Sequence, residues 1–185
     1  MRKLIAGINM TLDGICDHTA GIVDEALHQH YNEVINNSDT ILYGRKTYQL
    51  MEYWQSVVKN PTGNKAMDDF AISIENISKV VFSNTLTTET IGWKNVRVAE
   101  QGVEEEVSAL KLREKKDLLV GSPSLIVTCL NLNLVDELQL CVHPVVAGKG
   151  LPLFKNISQR INFKLLKTKT FRSGAIVLYY EPIKN

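Results

Sequence analysis

Two short segments of the chain place a glycine and then hydroxyl or basic residues directly after an apolar run. The first is Gly44, Arg45, Lys46 and Thr47, after residues 41–43, and the second is Gly121, Ser122, Pro123, Ser124 and Leu125, after residues 118–120. Each apolar run is predicted to be a buried strand, and each glycine is predicted to open a helix. The first turn of a helix presents unpaired N–H groups and a partial positive charge, which together suit a phosphate group. Both segments are therefore candidate phosphate-binding turns.

The occurrence of two such segments in one chain strengthens this interpretation. A glycine that only turns the chain explains either segment alone equally well. In a parallel sheet, however, both turns lie at the carboxyl ends of their strands, where ligands of such folds bind. Two turns, one with the adjacent cations Arg45 and Lys46, favour a nucleotide with more than one phosphate. The chain has no G-x-G-x-x-G segment, which excludes the ordinary dinucleotide-binding fingerprint.

Asp13 is the candidate for acid–base chemistry, because it follows the first predicted strand at the same edge of the sheet. A carboxylate there is able to orient a substrate, or to relay a proton to the atom opposite the one that receives a hydride. An Asp13-Gly14 turn that merely ends the strand is an equally good explanation. Cys16, Asp17 and His18 are confined to one loop, and we predict no metal site.

The elements that must position these residues follow from hydrophobic periodicity and turn residues. Strands are predicted at residues 4–10, 40–43, 79–82, 96–98, 117–120, 137–142, 163–170 and 175–181. Helices are predicted at 24–36, with Asp24 as the cap, and at 45–51, 67–75, 103–115 and 124–130, with a surface loop at 54–65. We therefore predict one α/β domain over residues 1–185. Its central sheet is mostly parallel, with an antiparallel C-terminal strand pair and helices on both faces.

Composition limits the classes of partner. The chain has 185 residues and a net charge of +1, with basic residues scattered along it, which argues against nucleic acid as the main partner. No apolar run approaches the length of a membrane span, and the N-terminus lacks the cleavage site of a signal peptide. The three widely spaced cysteines are interpreted as reduced thiols. We expect a cytoplasmic protein that acts on a small molecule.

Several of these segments resemble those of one fold family. Residues 44–47 are similar to the G-R-x-T of dihydrofolate reductases, and residues 81–84 and 121–125 resemble two further cofactor segments of that fold. Residues 10–14, 134–138 and 143–154 resemble the S/T-L-D-G, L-V-D-E-L and P-x-x-x-G-x-G-x-P-L-F segments of the reductase domain of riboflavin biosynthesis. The resemblance runs in consistent order from about Lys3 to Tyr180. It implies a three-layer dihydrofolate-reductase-like fold.

The resemblance also implies a cofactor, NADPH, across the carboxyl edge of the sheet. Its phosphates would be held by Gly44, Arg45, Lys46 and Thr47, with the adenosine end near Ser83 and Asn84. We assign the 2′-phosphate to Arg45, Lys46 or both, since they are the adjacent basic pair at the carboxyl end of a strand. Its pyrophosphate would contact Gly121, Ser122, Pro123, Ser124 and Leu125. Ala6, Thr11, Asp13 and Gly14 would border the nicotinamide and substrate. The implied activity is hydride transfer to a small heterocyclic substrate, as in 5-amino-6-(5-phosphoribosylamino)uracil reductase. Homodimers are common among such domains, and the apolar run 135–146 suggests one here through the late strands.

Two departures from the family pattern leave alternatives open. Ser122 replaces the second glycine of the usual pair, and the carboxylate that holds the pterin in dihydrofolate reductases falls near His28, although Asp24 and Glu25 are close by. A true dihydrofolate reductase is therefore one alternative. A protein that binds NADPH or another nucleotide without turnover is the other.

Overall fold

The computed structural model describes residues 2–87, 89, 91–113 and 115–183. These residues form one eight-stranded sheet in the order β4-β3-β2-β5-β1-β6-β8-β7. The strands are β1 (Leu4–Thr11), β2 (Ser38–Gly44), β3 (Ser78–Phe82), β4 (Val96–Val98), β5 (Asp117–Val120), β6 (Glu137–His143), β7 (Phe163–Thr170) and β8 (Ile176–Pro182). The strands from β4 to β6 pair in parallel, whereas β8 is antiparallel to both β6 and β7. The predicted α/β, dihydrofolate-reductase-like fold is confirmed.

Helices cover both faces of this sheet, as predicted. They are α1 (Glu25–Asn36), α2 (Arg45–Met51), α3 (Tyr53–Lys59), α4 (Lys65–Asn76), α5 (Val103–Lys111) and α6 (Pro123–Asn131). Successive strand residues point to opposite faces. In β2, Leu42 packs with Val107 of α5 and Ile126 of α6, whereas its neighbour Tyr43 packs with Ile35 of α1. The core is thus two layers, one on each face of the sheet.

Local sequence signals set several helix starts. The Asp24 carboxylate accepts a hydrogen bond of 2.8 Å from the Leu27 N–H and so caps α1. Pro123 is the first residue of α6, where its missing N–H costs no helical hydrogen bond. Asn64 caps α4 in the same way as Asp24 caps α1, by accepting from Met67 N.

Two of the predicted elements are wrong in extent. The segment predicted as a loop at 54–65 contains α3 and the start of α4, because Trp54 packs edge-on against Phe70 with ring centroids 4.6 Å apart. The helix predicted at 103–115 ends at Lys111. The Lys111 side chain turns toward Asp136 and the Leu134 carbonyl, and the next residue, Leu112, is 76% exposed, so no further turn gains apolar burial.

The two outer strands differ in build. β4 has three residues, and β7 has eight, with an irregular register between Leu165 and Lys167 opposite β8.

Among the described helices, none combines the length and apolar character needed to cross a membrane.

Candidate functional site

A crevice opens between β1 and β5. β1 pairs with β5 only from Leu4 to Ala6. Beyond that, β1 continues to Thr11, whereas the segment after β5 turns away at Gly121. The helix after β1 covers one face of the sheet and the helix after β5 covers the other, so this is the topological switch point at which α/β sheets bind ligands. A Cβ placed on Gly7, at the mouth of the crevice, meets no atom within 4 Å.

The two glycine turns meet beside this crevice. The Gly44 N–H donates a hydrogen bond of 2.8 Å to the Ser122 hydroxyl, which is buried. Ser122 is the N-cap residue of α6, but its hydroxyl does not cap its own helix, and Gly44 has no side chain with which to cap α2. Within the described residues, the first-turn N–H groups of both helices therefore lack a side-chain cap. The serine that replaces a glycine of the family pattern joins the two turns.

Gly121 lies at the bottom of the crevice, where a Cβ would make ordinary van der Waals contacts. A Cβ there would lie 3.7 Å from Cε1 of Tyr43 and 3.8 Å from the Gly7 carbonyl oxygen. The Tyr43 hydroxyl is buried and has no hydrogen-bond partner in the described part of the chain, and burial raises the pKa of Tyr43, which keeps this hydroxyl a donor. An uncommitted donor beside a glycine-lined opening fits a polar ligand.

A second cavity, of about 530 Å³, lies at the same edge beyond β2 and β3. Its wall contains Arg45, Ser83 and Asn84, three residues predicted to hold one cofactor, together with the segment 99–103. This volume lies within the range of small-ligand sites. The Ser83 hydroxyl accepts from the Thr85 and Leu86 N–H groups and shapes the turn after β3. Lys46 and Thr47 follow Arg45 in the first turn of α2 but do not line this cavity.

Asp13 is fully engaged by its own loop and by a distant one. Its carboxylate accepts hydrogen bonds from the Thr11 hydroxyl at 2.5 Å and from the N–H groups of Ala147 and Gly148 at 3.1 and 2.7 Å. These donors, the Thr11 hydroxyl first, lower the pKa of Asp13 to about 2, so the carboxylate is ionised at neutral pH. The geometry favours a carboxylate that positions loops over one that carries a proton.

The loop after β1 and the loop after β6 are fastened along their length. Leu12 N donates to Val145 O at 2.8 Å, and Leu153 N donates to Gly14 O at 3.0 Å. Gly14 has φ of 76° and Gly150 of 138°, and a side chain on Gly150 would collide with Ile15. The two motifs that share a family resemblance are thus one structural unit. Thr11 lies at the end of β1, Asp13 follows it in the loop, and Ala6 lies earlier in the same strand.

Sequence reasoning missed a buried polar network on the α1 side of the crevice. The side-chain oxygen of Asn9, in β1, lies 2.9 Å from Nε2 of His143 and 2.8 Å from the Tyr31 hydroxyl. His143 is 1% exposed, and this burial lowers its pKa, so the ring is neutral. The only signal in the sequence is a polar residue within an apolar strand. Its partners are 22 and 134 positions away.

The start of α1 offers the crevice no carboxylate. Asp24 caps the helix and accepts from Ser173 N at 2.9 Å, and Glu25 is exposed. His28 lies with its ring centroid 6.4 Å from that of Trp54 and 6.2 Å from that of Phe70, and burial lowers the pKa of its ring. His28 is thus part of an aromatic cluster between helices.

Comparison with known proteins agrees with this architecture. The family model of the RibD C-terminal domain matches residues 2–177. The chain is 37% identical over 183 residues to the uncharacterized protein YyaP of Bacillus subtilis (strain 168), covering 97% of this chain and 94% of that protein. It is 24% identical over 186 residues to the uncharacterized protein YwjB of the same organism, covering 97% of each.

Solved structures share the fold at low sequence identity. A putative riboflavin biosynthesis protein from Shewanella sp. PV-4 superposes with a TM-score of 0.76 at 18% identity, covering 98% of this chain and 99% of that one. A diaminohydroxyphosphoribosylaminopyrimidine deaminase/5-amino-6-(5-phosphoribosylamino)uracil reductase from Thermotoga maritima gives 0.69 at 17%, covering 98% of this chain and 57% of that one. The present chain thus spans a little over half the length of the Thermotoga protein.

Proposed function

The chain belongs to the RibD C-terminal domain family, and on that premise we propose that it is an oxidoreductase that uses NADPH to reduce a small heterocyclic substrate. The observation that carries the proposal is the 2.8 Å hydrogen bond from Gly44 N–H to Ser122 Oγ. It brings two uncapped helix starts to one edge of the sheet, between the β1–β5 crevice and the cavity that contains Arg45. The Thermotoga maritima protein of the same fold is a deaminase/reductase, which supports the reaction class.

The residues at this edge fit the cofactor. NADPH would supply a hydride to the substrate. In this proposal the first-turn amides of α6, at Ser124 and Leu125, bind the pyrophosphate, with Gly121 and Pro123 giving the close approach. Gly44, Lys46 and Thr47 bind phosphate oxygens at α2. Arg45 contributes charge for the 2′-phosphate in the cavity that Ser83 and Asn84 share.

The crevice is assigned to the nicotinamide and the substrate. Ala6 and Gly14 border it through their backbone, and Thr11 and Asp13 hold its rim in shape. We assign Asp13 an orienting role, because a carboxyl group with a pKa of about 2 is a poor proton donor at neutral pH. The proton that completes the reduction therefore comes from another source.

Calorimetric titration of the wild-type protein with NADPH and NADH tests the proposal. We expect NADPH to bind roughly ten- to hundredfold more tightly, because charge-assisted hydrogen bonds to one phosphate contribute about 1.5–3 kcal/mol. Equal affinity for both cofactors, or no binding of either, would contradict it. NADPH oxidation, screened against pterin, pyrimidine and quinone compounds, separates an enzyme from a protein that only binds the nucleotide.

The same proposal includes a homodimer in the cytoplasm. The three cysteines are free, which is the state that a reducing compartment maintains. Within run 135–146, residues such as Leu138 and Cys141 are buried inside the chain, whereas Leu165, Leu166 and Ile176 on β7 and β8 remain exposed. We infer that these late strands form the subunit contact. Light scattering that gives a mass near the 20.8 kDa of one chain at micromolar concentration would contradict it.

A further inference from the structure

The amide of Asn9 is held in one orientation by its neighbours. Nδ1 of His143 accepts a hydrogen bond of 3.1 Å from the Ile22 N–H, so the proton of the neutral ring lies on Nε2. That Nε2–H must donate, and its partner 2.9 Å away on Asn9 is therefore the amide oxygen. The Tyr31 hydroxyl donates to the same oxygen at 2.8 Å. The Nε2–H of His143 thus fixes which end of the amide faces inward, since a hydroxyl serves as donor or acceptor.

Burial keeps the groups around Asn9 protonated. Burial raises the pKa of both Tyr31 and Cys141, the latter to about 11. Each group therefore keeps its proton at neutral pH. The network therefore carries no charge at neutral pH.

The other end of the amide is uncommitted. Nδ2 of Asn9 has no hydrogen-bond partner among the residues that the structure describes, and the side chain is partly exposed in the centre of the sheet. Asn9 lies two positions beyond Gly7 and on the same face of β1, next to the open space over that glycine. Two N–H donors consequently face the crevice on the side away from α6.

The groups around that space carry no charge. Gly7 and Gly121 have no side chains, and burial keeps the Tyr43 hydroxyl and the His143 ring neutral. Asp13, the charged residue nearest to Asn9 along the chain, has both carboxylate oxygens bound by its loops. On this face of β1 an anionic substrate group buried beside Asn9 would have no cationic side chain of that strand as a partner, which is costly.

We propose that Asn9 determines substrate specificity by donating its side-chain N–H groups to a carbonyl oxygen or ring nitrogen of an uncharged, planar heterocycle or quinone in the crevice. This assignment rests on the proposed NADPH-dependent function and goes beyond it by naming the acceptor group and the charge of the substrate. His143 and Tyr31 are positioning residues that act through Asn9.

The test uses Asn9→Asp, which keeps an oxygen for His143 and Tyr31 but replaces the donor in the crevice by an acceptor. The protein is saturated with NADP⁺, so that no turnover occurs, and titrated with uracil, 6-methylpterin and 1,4-naphthoquinone. We expect at least one probe to bind the wild type, and N9D to bind it at least about tenfold more weakly, since an acceptor then faces an acceptor. Orotate, which is uracil with an added carboxylate, should bind the wild type more weakly than uracil does.

Two further measurements keep the outcome decisive if N9D folds poorly. In the wild type, the side-chain NH₂ resonances of Asn9 should shift when the probe binds. Tyr31→Phe, which removes one positioning bond but keeps the donor, should lose about two- to fivefold, less than N9D.

The outcomes separate the two proposals. No binding of NADPH or NADP⁺ to the wild type overturns the proposed function and, with it, the role of Asn9. Cofactor binding combined with equal probe affinities for wild type and N9D, unshifted Asn9 resonances, orotate binding as tight as uracil binding, or no binding of any probe overturns the role of Asn9 alone.

Discussion

The two ends of the parallel sheet use polar groups in opposite ways. At the end where the strands begin, buried charged side chains contact carboxylates or backbone carbonyls, although Nε of Arg2 has no partner in the described chain. Arg2 contacts Asp39, Lys111 contacts Asp136, and the Lys79 ammonium donates to the carbonyls of Glu75 and Ile77 at 3.3 and 2.9 Å. At the end where the strands finish, several donors have no partner in the described chain, among them the Tyr43 hydroxyl and the Asn9 amide nitrogen.

This difference separates stability from binding along a single set of strands. A buried charge that loses its partner is strongly destabilising, so the paired groups at the first end fix how the strands align. Leu4 N donates to Asp136 at 2.9 Å and Lys3 N to Asp117 at 2.8 Å, which ties β1 to the starts of its neighbours. The free donors at the other end destabilise the fold unless a ligand or water accepts their hydrogen bonds. Substitutions at the two ends should therefore affect different measurements.

Asp136→Ala should have the largest effect, and on stability alone. It leaves Lys111, whose side chain is 8% exposed, without its carboxylate and removes the acceptor for Leu4 N. We expect a loss of about 3 kcal/mol in the free energy of unfolding, measured with urea. NADPH affinity of the folded protein should not change. Asp136→Asn, which keeps an acceptor oxygen but not the charge, should lose less, and an equal loss for both variants would show that the acceptor oxygen contributes little beside the ion pair. An unchanged free energy of unfolding in Asp136→Ala would show that the ion pair contributes little.

Arg45→Ala combined with Lys46→Ala should do the reverse. Arg45 and Lys46 are exposed, so removing them should change the free energy of unfolding by less than about 0.5 kcal/mol. The preference for NADPH over NADH should fall by roughly ten- to hundredfold in calorimetric titrations, while NADH binding changes less. An unchanged preference would remove these two residues from the 2′-phosphate site.

Ser122→Ala tests the bond that joins the two glycine turns. The Gly44 N–H loses its acceptor, and we expect about 1 kcal/mol lower unfolding free energy together with weaker NADPH binding, because the turns are no longer held at their present separation. Ser108→Ala, on the exposed face of α5, is the matched control and should change neither quantity measurably. A loss of stability with unchanged NADPH affinity would make Ser122 purely structural.

Asp13→Asn should have the smallest effect on stability, and the pH dependence shows it most clearly. The folded-state pKa of about 2 lies below the ordinary 3.8, so the Asp13 contribution to stability is present above pH 3.8 and is lost as the pH falls toward 2. The unfolding free energy of the variant should therefore fall less steeply with acid over this interval than that of the wild type. If the unfolding free energies of the two proteins fall equally steeply with acid, the loops do not bind the Asp13 carboxylate in the way proposed.

Local signals were sufficient to predict most of the fold. The strand and helix alternation, the Asp24 cap, the Pro123 start of α6 and the closing antiparallel pair all depend on residues within a few positions of one another. The meeting of Arg45 with Ser83 and Asn84 depended on the family resemblance. The sequence alone separates these residues by 38 positions or more.

What was missed depends on contacts that are distant in sequence. The helix α3 was hidden because Asn60 and Pro61 follow it closely, and its burial comes from Trp54 against Phe70 of another helix. Asn9 looked like one polar residue in a strand until His143, 134 positions away, was placed beside it by the β1–β6 pairing. A hydrogen-bond network of this kind leaves no periodic pattern in the sequence.

The edge strand β7 affects the tendency of the protein to aggregate at high concentration. An exposed strand edge is a template on which another chain can add a strand, the first step toward aggregates. β7 carries lysines at 164, 167 and 169, and its register shifts between Leu165 and Lys167. The lysines of two such strands would repel each other, and the irregular register would disrupt their hydrogen bonds, so both features disfavour the addition of a strand. Replacing these lysines with threonine should therefore make the protein more prone to form fibrils.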